Sequence, residues 1–177
     1  MPSPIELHDS ANKAYQSHNY HEAADMFYRA AKEFLVQGDE LSAAEMFNNY
    51  SVSILQTEKS GIALESVLGT DEVFKKNGDI YRQAIACGNI GACYEASGNY
   101  QKAQEYYQKS IDIFTSIGDE PLKSHTLKSL SALQLRRGDH LSALLSMQSA
   151  IKSSKDLGIK RKVLLKLLSI PQKLIQH

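Results

Sequence analysis

The sequence has few of the residues that staple, break or anchor a chain. It contains two cysteines and four prolines in 177 residues. No apolar run reaches the roughly 18 residues that a transmembrane helix needs, and no apolar leader follows Met1. These absences predict a soluble, cytoplasmic protein. Cys87 and Cys93 stand six positions apart on one helical stretch, about 240° round its axis at 100° per residue. They cannot bridge within one helix and match no CxxC spacing for zinc or redox chemistry. They therefore read as small core residues of a reducing compartment.

Catalytic and cofactor signatures are missing as well. The six histidines, His8, His18, His21, His125, His140 and His177, form neither HExxH nor any paired metal spacing. There is no GxSxG and no reactive Cys–His pairing by sequence. Gly88-x-x-Gly91 falls inside a helix, not in a strand-to-helix loop, so it cannot cradle phosphate. The sequence thus predicts no catalytic residue, no metal and no cofactor. Formal net charge is zero, which gives nucleic acid nothing to bind overall. The distribution is uneven, however. From Lys160 onward there are five Lys/Arg and no Asp or Glu, which leaves 15 basic against 20 acidic residues before it.

What the chain does have is a period. Phe34, Phe74 and Phe114 recur every 40 residues, as do Gly38, Gly78, Gly118 and Gly158. Asp39, Asp79 and Asp119 keep that step, and so do Ala23, Ala63, Ala103 and Ala143. Self-similarity at a fixed period marks a repeat architecture. The clearest unit runs from Ile85 to Asp119. Its first helix carries Ile85, Ile90 and Tyr94 with small residues at Gly88, Gly91 and Ala92. Ser97-Gly98-Asn99 ends that helix, because glycine accepts the positive φ of a helix terminus. A second helix follows with Ala103, Tyr106, Tyr107, Ser110, Ile111 and Phe114 at spacings of three and four.

The same reading along the chain predicts four helix pairs. Helix 1 opens at Pro4 and runs to about Ser17. Helix 2 spans Tyr20 to Gln37. Helix 3 follows Gly38-Asp39 and ends near Thr57. Helix 4 covers about Ser60 to Lys76 and includes Gly61 and Gly69, each costing about 1 kcal/mol relative to alanine. That repeat should be the softest. Pro121 suits the first turn of helix 7, which ends at Arg137-Gly138-Asp139. Helix 8 runs from His140 to about Leu157, and a ninth helix begins near Ile159 and kinks or ends at Pro171.

Small residues at Ala11, Ser51, Gly91 and Ser131 stand twelve positions before the periodic alanines. Tyr20, Tyr100 and His140 precede the alanines by three, and Phe27, Val67, Tyr107 and Met147 follow by four. This pattern over residues 4–158 resembles the tetratricopeptide repeat (TPR), in which small residues let helices A and B approach closely. The 40-residue step resembles the long repeats of kinesin light chains and spindle-orientation adaptors, although repeats one, two and four lack the glycine of the N-x-G-x-x-Y pattern. The resemblance implies an all-α, right-handed solenoid of four helix-turn-helix repeats, at about 4–39, 40–79, 80–119 and 120–158. A basic amphipathic capping helix at 159–177 would complete it.

A solenoid of this kind lines a concave groove with its A helices, and the family holds a peptide or partner helix there. Mapping the sequence onto helix A puts His8 and Asn12, with Ile5 and Asp9, in the groove from repeat one. Repeat two supplies Glu45, Asn48, Asn49 and Val52, and repeat three Ile85, Asn89 and Ala92. Repeat four supplies His125 and Lys128, with Ser129 and Ala132. An asparagine amide both donates and accepts, so Asn12, Asn48, Asn49 and Asn89 could clamp an extended segment. The cationic clamp by which some relatives capture chaperone tails is not matched, since Ile85 and Asn89 stand where two cations belong. The expected function is a non-catalytic scaffold or adaptor for a protein or peptide partner, without nucleic acid. The alternative is a peripheral membrane or self-associating scaffold. It would act through Lys160, Arg161, Lys162, Lys166 and Lys173 around the C-terminal leucines.

Overall fold

The computed structural model describes residues 2–57 and 59–154. Nine α-helices and no strand occur among them. These are α1 (Pro4–Gln16), α2 (Tyr20–Val36), α3 (Glu40–Leu55), α4 (Ser60–Val67), α5 (Thr70–Lys76), α6 (Ile80–Ala96), α7 (Tyr100–Ile117), α8 (Glu120–Arg136) and α9 (His140–Ser153). The stretch expected to form a helix from Ile159 lies outside the described residues.

Local chemistry sets each start. At α1 the Ser3 hydroxyl accepts from the Glu6 N–H while the Glu6 carboxylate accepts from the Ser3 N–H, and Pro4 occupies the first turn. This reciprocal box satisfies two of the donors that a helix N-terminus leaves without partners. Asp39, Asp79, Asp119 and Asp139 cap α3, α6, α8 and α9. Their carboxylates accept from the N–H of Ser42, Arg82, Leu122 and Ser142 at 2.9, 2.9, 3.0 and 3.1 Å. The Ser42 hydroxyl and its backbone N–H together hold the Asp39 carboxyl below its ordinary range.

The stops are equally uniform. Gly38, Gly78, Gly98, Gly118 and Gly138 all adopt φ between 71° and 79°. The following N–H then reaches back to a carbonyl five residues earlier, at 2.9 Å in each case. That bond satisfies one of the carbonyls left over at a helix C-terminus. The turn after α1 repeats this geometry without glycine: His18 sits at φ 61°, and the Asn19 N–H donates to the Ala14 carbonyl at 2.9 Å.

Repeat two departs from the single helix expected over Ser60–Lys76. Leu68 is extended and Gly69 left-handed at φ 86°, so the stretch is broken into α4 and α5. A residue in that region cannot continue a right-handed helix. The Thr70 hydroxyl bridges the break by donating to the Val67 carbonyl at 2.8 Å.

The chain divides into two compact units between Tyr106 and Tyr107, inside α7. In the first unit, Leu7, Ala11, Ala23, Phe27 and Met46 form one buried cluster, joining α1, α2 and α3. Ile54, Ala63, Val67, Ile90 and Cys93 form another, joining α3, α4 and α6. Cys87 and Cys93 are both buried, and burial pushes the Cys93 thiol up to about 12, against a smaller pull from the Ser51 hydroxyl. In the second unit, α8 packs against α9. The Ser124 and Ser131 hydroxyls of α8 donate to the Ala150 and Ala143 carbonyls of α9 at 2.8 and 2.7 Å.

Gly78→Ala should lower stability by about 1–2 kcal/mol in a urea melt, the ordinary cost of a left-handed L-residue. The cost is one of backbone alone, since an added Cβ would meet nothing within 4 Å. Asp39 also links stability to pH. Its folded carboxyl is the stronger acid, so its contribution is complete above the unfolded value near 3.9 and is lost as pH falls through the folded value. Melting temperatures followed down into that acid range should fall more steeply for the wild type than for Asp39→Asn.

Candidate functional site

The expected groove residues of the first unit lie on α1, α3 and α6. On α3, Glu45, Asn48, Asn49 and Val52 follow helical spacing, and on α6 Ile85 and Asn89 do the same. The structure joins the two helices at this seam. The Asn89 amide donates to the Asn48 side-chain oxygen at 3.2 Å, and the Asn48 amide donates to the Ala44 carbonyl of its own helix at 3.1 Å. Asn48 is only 4% exposed. Its polar atoms are thus spent inside the protein, as a buried amide requires.

One turn earlier, Arg82 reaches across the same seam. Its guanidinium lies 3.4 Å from Glu45 on α3 and 3.3 Å from Asp79, the cap of its own helix. All three side chains are half-buried, so each exposed contact contributes no more than about 1 kcal/mol. Geometry is the larger effect, because the planar guanidinium fixes both carboxylates at once. Sequence reasoning missed Arg82. The signal was a cation three positions before Ile85, whose equivalent in the preceding repeat is the acid Glu45.

Of the expected groove residues on these two helices, Asn49, Val52 and Ile85 are half-buried. On α1, His8 and Asn12 pair with each other: the Asn12 amide nitrogen lies 3.0 Å from His8 Nε2. The tautomer that accepts there keeps its proton on Nδ1, which faces Asp9 at 3.9 Å. The His8 ring also packs against Phe27, with centroids 6.1 Å apart.

In the second unit, His125 and Lys128 are exposed on α8, and no described hydrogen bond or ion pair joins them to each other. Lys160, Arg161, Lys162, Lys166 and Lys173 lie outside the described residues. Among the described residues, no group of three or more His, Cys, Asp or Glu is arranged to hold a metal ion, and no helix is long and apolar enough to cross a membrane.

The small-residue crossings, the repeated turn and the paired helices are matched by known proteins. Residues 81–156 match the tetratricopeptide repeat family. Over that stretch the chain is similar to tetratricopeptide repeats. Over 127 residues it is 27% identical to the regulatory protein RapK of Bacillus subtilis (strain 168), spanning 71% of this chain and 34% of RapK. The chain therefore spans about a third of the length of that curated relative. Among solved structures, BtubC (BKLC) from P. vanneervenii superposes with a TM-score of 0.76 at 20% identity, over 85% of this chain and 62% of BtubC. The apo form of RapI gives 0.75 at 18% identity, over 98% and 50%. Nearly identical TPR-like repeats of a protein assigned as a kinesin light chain, from Podospora anserina, give 0.76 at 14% identity, over 99% and 91%. At these identities the likeness concerns the fold: an all-α helical-repeat solenoid.

Asn48 and Asn49 are adjacent in sequence and differ in depth. Asn48→Ala should cost about 1–3 kcal/mol in a denaturant melt, because it strands the Asn89 amide. Asn49→Ala should stay within about 0.5 kcal/mol of the wild type, as surface substitutions do.

Proposed function

We propose that this chain is a non-catalytic interaction module that holds a segment of a protein partner along the α3–α6 seam of its first unit. The observation that carries the reading is the pair of ties across that seam. Asn48–Asn89 and Glu45–Arg82–Asp79 hold the two helices in one relative position, and Asn49, Val52 and Ile85 on the same helices are left partly open. A surface fixed before binding loses less entropy when a partner docks. Asn49 offers a donor and an acceptor to a partner backbone, and Val52 and Ile85 offer apolar contact.

In this reading Asn48 and Asn89 act as positioning residues, and Asn49 makes the contact. His8 and Asn12 on α1 present a second polar pair to a partner long enough to reach them. His125 and Lys128 are a separate candidate surface on the second unit. Support comes also from the tetratricopeptide repeats and from the similarity to RapK, a regulatory protein.

The test is a photo-crosslinking amino acid placed at Asn49 and, separately, at Arg29 on the exposed side of α2. Partner adducts formed from native lysate at position 49 and absent at position 29 are the expected result. Adducts at position 29 alone, or none at either position, would sink the seam as a binding site.

A further inference from the structure

We propose that the cleft beside the α4–α5 break is a docking site for the C-terminal leucine–lysine segment, residues 159–177, of a second copy of this chain. The break at Gly69 leaves a hollow of about 520 Å³ between the end of α2, α3 and the two short helices. That volume is within the range of about 300–1,000 Å³ typical of ligand clefts. Phe47 and Val73 line it with apolar surface, and Leu35 and Leu68, each 44% exposed, stand at its edge. Among the described residues, Glu40 and Glu65 are its charged lining residues, and both are exposed. The cleft therefore suits an apolar segment that carries positive charge.

The sequence contains one segment of that chemistry. Residues 159–177 hold Lys160, Arg161, Lys162, Lys166 and Lys173 among Leu164, Leu165, Leu167, Leu168 and Leu174, with no acidic residue. The zero net charge of the chain conceals the complementarity. Met1–Tyr106 carries 15 acidic and 8 basic residues, whereas Tyr107–His177 carries 5 acidic and 12 basic. Two copies meeting head to tail bring opposite charges together, and opposite potentials speed encounter and fix orientation. A head-to-tail contact uses different patches on the two copies, so each copy keeps one of its two ends available for the next.

Sedimentation velocity of the full chain tests this, followed from low to high micromolar concentration. At low salt the weight-average mass should rise with concentration, and about 1 M salt, which shortens the screening length to about 3 Å, should reverse the rise. Glu40→Lys with Glu65→Lys, and separately Lys162→Glu with Lys166→Glu, should each weaken association at least about tenfold. Mixing the two charge-reversed proteins should restore it as a heterodimer. A wild type that stays monomeric throughout would overturn the proposal. So would association that survives the cleft substitutions, or a mixture that fails to recover.

Discussion

Close approach of two helix backbones is the constraint on which the molecule depends. Ala11, Ser51 and Ser131 on the first helices of their repeats are at most 1% exposed, and so are Ala23, Ala63, Ala103 and Ala143 on the second. A larger residue at any of these positions would force the pair apart and open the interior that Phe27, Phe74, Tyr107 and Phe114 fill. In the second unit the closeness can be measured. The Ser131 hydroxyl touches the main chain of α9 itself, at 2.7 Å from the Ala143 carbonyl, and Ser124 repeats the contact two turns away. Such hydroxyls serve as spacers and as ties, because each finds its acceptor on the neighbouring helix and leaves no buried donor without a partner.

Much of this was legible because the signals were periodic. The recurring glycines and aspartates marked where one helix ends and the next begins, and the alanines located the crossings. The chain turns at His18 and Asn19, between the first two helices expected there, although nothing in the sequence required His18 to copy the glycines in backbone conformation. It does so with its Nδ1 2.7 Å from the Tyr20 hydroxyl and its ring edge-on to that tyrosine. The break at Gly69 was legible only in part. Two glycines marked the stretch as weak, but a helix-spaced pattern cannot say which glycine leaves the right-handed region. The answer lies in tertiary packing, where Val67 and Phe74 are both buried on either side of the break.

The candidate site shows where periodicity stops being informative. A repeat register assigns residues to a face, and Asn48 does meet Asn89 across the α3–α6 seam, as Glu45 meets Arg82. It does not assign depth. Asn48 and Asn49 differ by one position, and helical rotation of about 100° takes one amide into the interior and leaves the other at the edge. The bond between Asn48 and Asn89 also spans 41 positions, one more than the repeat. Equivalent residues of successive helices therefore do not face each other squarely, and a strict 40-residue comparison pairs Asn48 with Gly88. The guanidinium of Arg82 escaped for a related reason. Its partners lie one on its own helix and one on another, a combination that no single-helix pattern encodes.

The uniform turns have a consequence for how such a chain can lengthen. The stops at Gly38, Gly78, Gly98, Gly118 and Gly138 share one φ region and one reach-back bond of 2.9 Å, and four of the helices that follow such turns start on an Asp cap. A duplication or loss of one whole 40-residue unit would therefore set every small residue opposite another small residue again. A gain or loss of a single helix would instead place like against like and abolish the crossings. The natural quantum of genetic variation in this architecture is thus the helix pair, and copy number can drift while the chemistry of each joint stays the same.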